Sequence, residues 1–340
     1  MSTSPNRLGR GSTAAALALA LMAPAAGLIV SSPVAAIPLT AHEGAAAPSL
    51  VTVSSAWHEA ATATPGGLPT TVAVDPAGSL WYADYTHDQL VRIDISGGER
   101  VFGLSGPKAH VTSIVAGPDG TVWFSDQAHR TIGRIFPGSG LEKRYRLDDA
   151  RVNATSLAAG IDRVWFAAGP AGLGYIFPSG EVDYARLGGA TTIDSIDVAP
   201  DGRVWFAVSG GTSIGVYDPA TTTTRMIDVG VGALSDIAVA PDGSVWVGGD
   251  NALMHVATDD SVAVVTLAAR SFEHIAPRSI TFDSLGQLYF TDLNRGIGVL
   301  DAHGTVTYET APSGAVPWDL AMVGDSLWFN DMGRSTLGWL

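Results

Sequence analysis

Residues 111–147 read VTSIVAGPDGTVWFSDQAHRTIGRIFPGSGLEKRYRL. The alternation from Thr112 to Ala116 predicts a strand. Gly117-Pro118-Asp119-Gly120 predicts a turn, with proline holding one φ and glycine free to adopt positive φ. Thr121 to Ser125 is a second strand, Gln127 to Arg130 a polar loop and Thr131 to Phe136 a third strand. Pro137-Gly138-Ser139-Gly140 turns the chain again into a fourth strand, Leu141 to Leu147. Four short antiparallel strands in about 40 residues make one propeller blade.

The unit recurs along the chain. Its aromatic stands at Trp81, Trp123, Trp165, Trp205, Trp246, Tyr289 and Trp328, at spacings of 42, 42, 40, 41, 43 and 39 residues. Neither the period nor the turn allows a single copy to bury its own apolar face, so the copies must stack. The expected fold is all-β: a seven-bladed propeller of four-stranded antiparallel blades. The chain stops after the third strand of blade seven, and residues 50–58 (LVTVSSAWH) form an orphan strand ahead of blade one. The economical expectation is that this N-terminal strand completes the last blade and closes the ring, removing exposed edges. The repeated aromatics then belong to inter-blade packing, and each Pro-Asp-Gly aspartate to its turn.

Residues 1–36 carry Arg7 and Arg10, an apolar run over 14–30 interrupted by Pro24, and small residues at 34–36. This is the pattern of a secretory signal peptide, so a secreted protein is expected. An uncleaved anchor is the alternative reading. Residues 37–48 read as a flexible leader and 49–340 as one propeller domain with no membrane span in the mature chain. The absence of cysteine excludes disulfides, thiolate metal sites and cysteine nucleophiles. A net charge of −14 argues against nucleic acid and anionic membranes as partners.

Propellers carry function on one rim of the channel, so chemistry is sought where equivalent positions differ between blades. Two residues before the centre of each first strand stand Thr70, Thr112, Thr155, Asp194, Ser235, Arg278 and Trp318. Arg278 and Trp318 depart most from the small polar pattern and lie in adjacent blades. They, with Asp194, are the candidate contacts for a small-molecule or peptide-like ligand. Three residues after the aromatic stand Asp84, Asp126, Ala168, Val208, Gly249, Asp292 and Asp331. Four of these are acids, and they fall in consecutive blades six, seven, one and two. Oxygen ligands of this kind suit Mg²⁺ or Ca²⁺. They equally suit capping of strand ends by local amides. His110 and His274 precede first strands and could reach the rim.

The run Gly117-Pro118-Asp119-Gly120, Trp123-Phe124, Asp126 and Ile132-Gly133-Arg134 resembles the virginiamycin B lyase (streptogramin lyase) family, and all seven units share it. NHL and gluconolactonase-like propellers carry related repeats. The resemblance implies a monomeric propeller that opens a cyclic depsipeptide by elimination at an ester, with Mg²⁺ and a histidine base. The family's rim histidines sit in Pro-His-x-Ile motifs entering the last two blades. The matching stretches here are Pro277-Arg278-Ser279-Ile280 and Pro317-Trp318-Asp319-Leu320. Arginine stays protonated and tryptophan has no basic site. The family's metal-linked glutamate falls near Asp331. The reading is therefore a ligand-binding or interaction propeller of lyase-like ancestry. Alternatives are a C–O lyase using Asp331, Asp319 or His274, or a metal-dependent lactonase or esterase on the acidic crescent.

Overall fold

In blades one, two, four, five and six the turn after the first strand is closed by its own aspartate. Asp75 Oδ1 accepts the Ala77 and Ser79 amides, both at 2.9 Å, and Asp242 Oδ1 accepts the Ser244 amide at 2.9 Å. Gly78 and Gly243 follow at φ 80° and 84°, a conformation that a side chain would strain. These turns join the strands of a computed structural model that describes residues 51–53, 57–117, 119–149, 151–188, 191–267, 275 and 277–340. The expected signal peptide and leader lie outside the described residues.

The described strands form seven antiparallel blades in a ring, with no helix among the described residues. Blade two runs Val111–Ala116, Val122–Asp126, Thr131–Phe136 and Leu141–Arg146. First strands of successive blades touch one another all the way round, Pro317–Val323 of blade seven meeting Pro69–Val74 of blade one. They line the axis. Fourth strands such as Thr223–Asp228 lie outermost and are largely exposed.

Two adjacent second-strand positions do different work. The tryptophan packs into the next blade: Trp123 shares a buried cluster with Leu157, Val164 and Phe166 of blade three, and Trp328 one with Val72 and Leu80 of blade one. The following phenylalanine faces the preceding blade, Phe166 meeting Trp123 and Phe206 meeting Trp165, while its ring lies over a glycine of its own third strand. Phe124, Phe166, Phe206, Phe290 and Phe329 pair across the sheet with Gly133, Gly174, Gly215, Gly298 and Gly338. A Cβ on any of these glycines would come within 2.0–2.2 Å of a ring atom of its phenylalanine. The recurring Ile-Gly step is therefore the cradle of the phenylalanine. Where the aromatic is Tyr82, or the position is Val247, the partners are Val91 and Met254 instead.

The orphan strand divides in two. His58–Ala61 pairs antiparallel with Thr336–Trp339, as the fourth strand of blade seven. Val51–Val53 instead pairs parallel with Val306–Glu309, a fifth strand on blade six. The expectation of one strand over 50–58 is corrected on this point. Just before the second of these strands, the Trp57 ring packs 4.6 Å from that of Phe329 in a cluster shared by blades six and seven.

Candidate functional site

The residue before the centre of each first strand carries a hydrogen-bonding side chain: Thr71, Ser113, Ser156, Ser195, Asp236, Ser279 and Asp319. Together they build a girdle around the channel. The Leu157 amide of blade three donates to Ser113 Oγ of blade two at 3.0 Å. The Ile237 amide donates to Ser195 Oγ at 3.3 Å, Ile280 to Asp236 Oδ2 at 2.9 Å and Leu320 to Ser279 Oγ at 3.2 Å. Val72 of blade one donates to Asp319 Oδ2 at 3.1 Å, across the seam of the ring. Asp319 also accepts the Thr71 hydroxyl at 2.7 Å, the Ser279 hydroxyl at 2.9 Å and its neighbour Leu320 at 3.0 Å. Four donors fix this carboxylate in the scaffold. Burial pushes the Asp236 carboxyl up to about 7 and that of Asp197 up to about 6. Burial raises Asp319 too, against the pull of its hydroxyl and amide donors.

One residue nearer the mouth, a second set of bonds joins the blades. Thr70 Oγ1 donates to the Val111 carbonyl at 3.1 Å, Thr112 to Thr155 at 3.4 Å and Thr155 to Asp194 at 2.8 Å. Ser235 donates to the Pro277 carbonyl. Asp194, Arg278 and Trp318 interrupt this set. Arg278 instead lies over the Trp318 ring, 4.2 Å from its centroid. In blades six and seven the inter-blade bond comes from the second strand: buried Thr291 donates to the Trp318 carbonyl at 3.5 Å, and Asn330 Nδ2 donates to the Pro69 carbonyl at 2.8 Å.

The four acids of the crescent are buried, and each is turned onto the amides of its own blade. Asp84 Oδ1 accepts Leu68 and Thr86, both at 3.0 Å, and Asp126 Oδ1 accepts His110 at 3.2 Å. Asp292 accepts the Asn294 amide at 2.9 Å, and Asp331 accepts Val316, Gly333 and Arg334 at 2.8, 3.0 and 3.2 Å. Burial raises Asp292, with Tyr308 and Arg295 acting against it. Burial alone would raise Asp126 as well, but Arg144 and His129 hold it below the usual carboxylate range. Among the described residues no three His, Asp or Glu side chains come together in a way that could hold a metal ion. His274 lies outside the described residues.

The sequence reading missed two dyads. Asp84 binds His87 Nδ1 at 2.8 Å, and Asp126 binds His129 Nδ1 at 2.7 Å. Both sit in the loop after the second strand, on blades one and two. A repeated Asp-x-x-His at the same turn position was the available signal.

A family model described as the virginiamycin B lyase family matches residues 5–252. The chain belongs to the virginiamycin B lyase family. Among solved structures, a catalytically inactive variant of virginiamycin B lyase from Staphylococcus aureus, determined with quinupristin, superposes with a TM-score of 0.76 at 20% identity, covering 84% of this chain and 98% of that one. A streptogramin B lyase gives 0.73 at 18% identity, covering 84% and 96%. Hydrazine synthase of Kuenenia stuttgartiensis gives 0.69 at 14% identity, covering 83% and 97%. These likenesses speak for the fold alone, and the last shows how differently named the proteins that share it are. No curated sequence matches the chain significantly. No described helix is long and apolar enough to cross a membrane.

Proposed function

We propose that this member of the virginiamycin B lyase family is an exported binding propeller that holds a small or peptide-like ligand at the channel mouth and does not open it. The observation that carries this reading is the Arg278–Trp318 stack at 4.2 Å, on the two first-strand positions where the family resemblance expects histidines. A guanidinium on an indole face binds and orients; it takes no proton at neutral pH. The neighbouring Asp319 holds four donors, so it has no role as a free base in this reading. The related lyase whose inactive variant was determined with quinupristin supports the idea that ligand retention and chemistry are separable on this fold.

A second reading, a lyase with a displaced base, draws on the Asp126–His129 dyad, which fixes one imidazole tautomer and leaves Nε2 as the basic atom. Incubation with quinupristin distinguishes the two. Elimination at the ester would give a linear isomer separable by chromatography. Binding without a linear product is expected from the wild type. Turnover that disappears in His129→Ala would replace the binding reading with the second one.

A further inference from the structure

The mouth of the channel is stitched by first-strand hydroxyls in blades one, two, three and five, through Thr70, Thr112, Thr155 and Ser235. In blades six and seven the stitch is supplied from behind. Thr291, fully buried, accepts the Arg278 amide at 3.2 Å and the Ser279 amide at 3.0 Å while reaching the Trp318 carbonyl. Asn330, also fully buried, accepts the Asp319 amide at 2.9 Å and donates to blade one. The second strands of the remaining blades carry Ala83, Ser125, Ala167, Ala207 and Gly248 at this position. A structural duty has thus moved from the rim to the second strand in the two blades where the rim residue is chemically distinctive. The backbones of Arg278 and Trp318 stay fixed while their side chains are released.

What those side chains offer is specific. Arg278 is exposed, is stacked by one face on Trp318 and has no carboxylate partner among the described residues. Its in-plane N–H edge remains for a planar anion, which arginine grips with two parallel bonds. Asp194 is the third interruption, in blade four. It is exposed, and its carboxylate accepts no hydrogen bond among the described residues, whereas its carbonyl is held by Thr155. One mouth therefore presents a free cation backed by an indole and, two blades away, a free anion.

We propose that the channel mouth is a receptor for zwitterionic peptide-class ligands, with the ligand carboxylate on Arg278, an apolar side chain against Trp318 and the ammonium group drawn to Asp194. This rests on the binding reading above and narrows it. A neutral ligand would leave both charges unanswered, and a polyanion would be opposed by Asp194 and by the net charge of −14.

The test is equilibrium dialysis of the full chain against an equimolar pool of unblocked tripeptides, beside N-acetylated and C-amidated pools, with retention read by mass spectrometry. The unblocked pool is expected to be retained at least about tenfold better than either blocked pool. Arg278→Gln should erase the preference for a free carboxylate, and Asp194→Asn the preference for a free amine, with melting temperatures unchanged. Equal retention of all three pools, or of none, overturns the proposal. Quinupristin in a parallel cell separates the two readings. Retained quinupristin with no peptide preference removes the zwitterion proposal and leaves the binding reading standing, whereas linearised quinupristin removes the binding reading itself.

Discussion

The Ser195 hydroxyl of blade four donates to Asp236 Oδ1 of blade five at 2.7 Å, and the other oxygen of that carboxylate takes the Ile280 amide of blade six at 2.9 Å. One half-buried side chain therefore joins three blades at the channel wall.

That position makes stability pH-dependent in a direction that can be worked out. The folded Asp236 titrates near 7 against 3.8 unfolded, so its favourable contribution is complete below about pH 4 and disappears as pH rises through 7. Asp197, near 6, acts in the same sense. Together with the depressed Asp126, whose contribution is lost on acidification, this places maximal stability on the acid side of neutrality. Three pH units at one group correspond to at most about 4 kcal/mol. Urea unfolding of the wild type should show stability falling from pH 5 to 8, and Asp236→Asn should flatten most of that fall. A slope unchanged in the variant would assign the dependence elsewhere.

The glycine cradle predicts a steric coupling. Gly215→Ala places a methyl group 2.0 Å from the Phe206 ring and should cost about 1–3 kcal/mol. Combining it with Phe206→Leu should recover part of that loss. Additive losses in a double-mutant cycle would show that the pair does not make the contact that explains the motif.

Asp331 accepts three amides around the last loop. Asp331→Ala leaves those donors unanswered and should lower stability by about 1–3 kcal/mol. The melting temperature of the wild type should not move with EDTA or with millimolar Mg²⁺ or Ca²⁺. A rise on adding either cation would point instead to a bound ion at these carboxylates.

Deleting residues 49–61 removes the outer strand of blade seven, the His58–Trp339 stack at 5.1 Å and the Glu59–Arg334 ion pair at 2.6 Å. A sharply lower melting temperature and concentration-dependent association through the bared Thr336–Trp339 edge are expected. A truncated chain that melts like the wild type would dismiss the N-terminal strand as a closing element.

Much of the fold was legible because the repeat writes an aromatic at one depth seven times, six tryptophans and Tyr289: Trp123 and its equivalents announce the inter-blade layer without reference to anything distant. The site was partly legible by the same comparison, since Arg278 and Trp318 break a column of small polar residues. The acidic column was legible as either cation ligands or caps of strand ends; Asp84 and Asp331 accept amides of their own loops, as the capping alternative has it, and spacing alone cannot tell the two apart. Asp236 was overlooked because it looks ordinary in the strand; its weight comes from Ser195 and Ile280, each more than forty residues away. The division of the N-terminal strand into Val51–Val53 on blade six and His58–Ala61 on blade seven depends on distant partners, and no local pattern encodes that.

The clasp formed by Val51–Val53 on blade six and His58–Ala61 on blade seven has a consequence for biogenesis. A nascent chain emerges amino end first, so this clasp waits idle until the partners made last have followed it. Such distant pairing forms slowly. Until then the molecule is an open arc, with the strands that start the chain still waiting for their partners in blades six and seven.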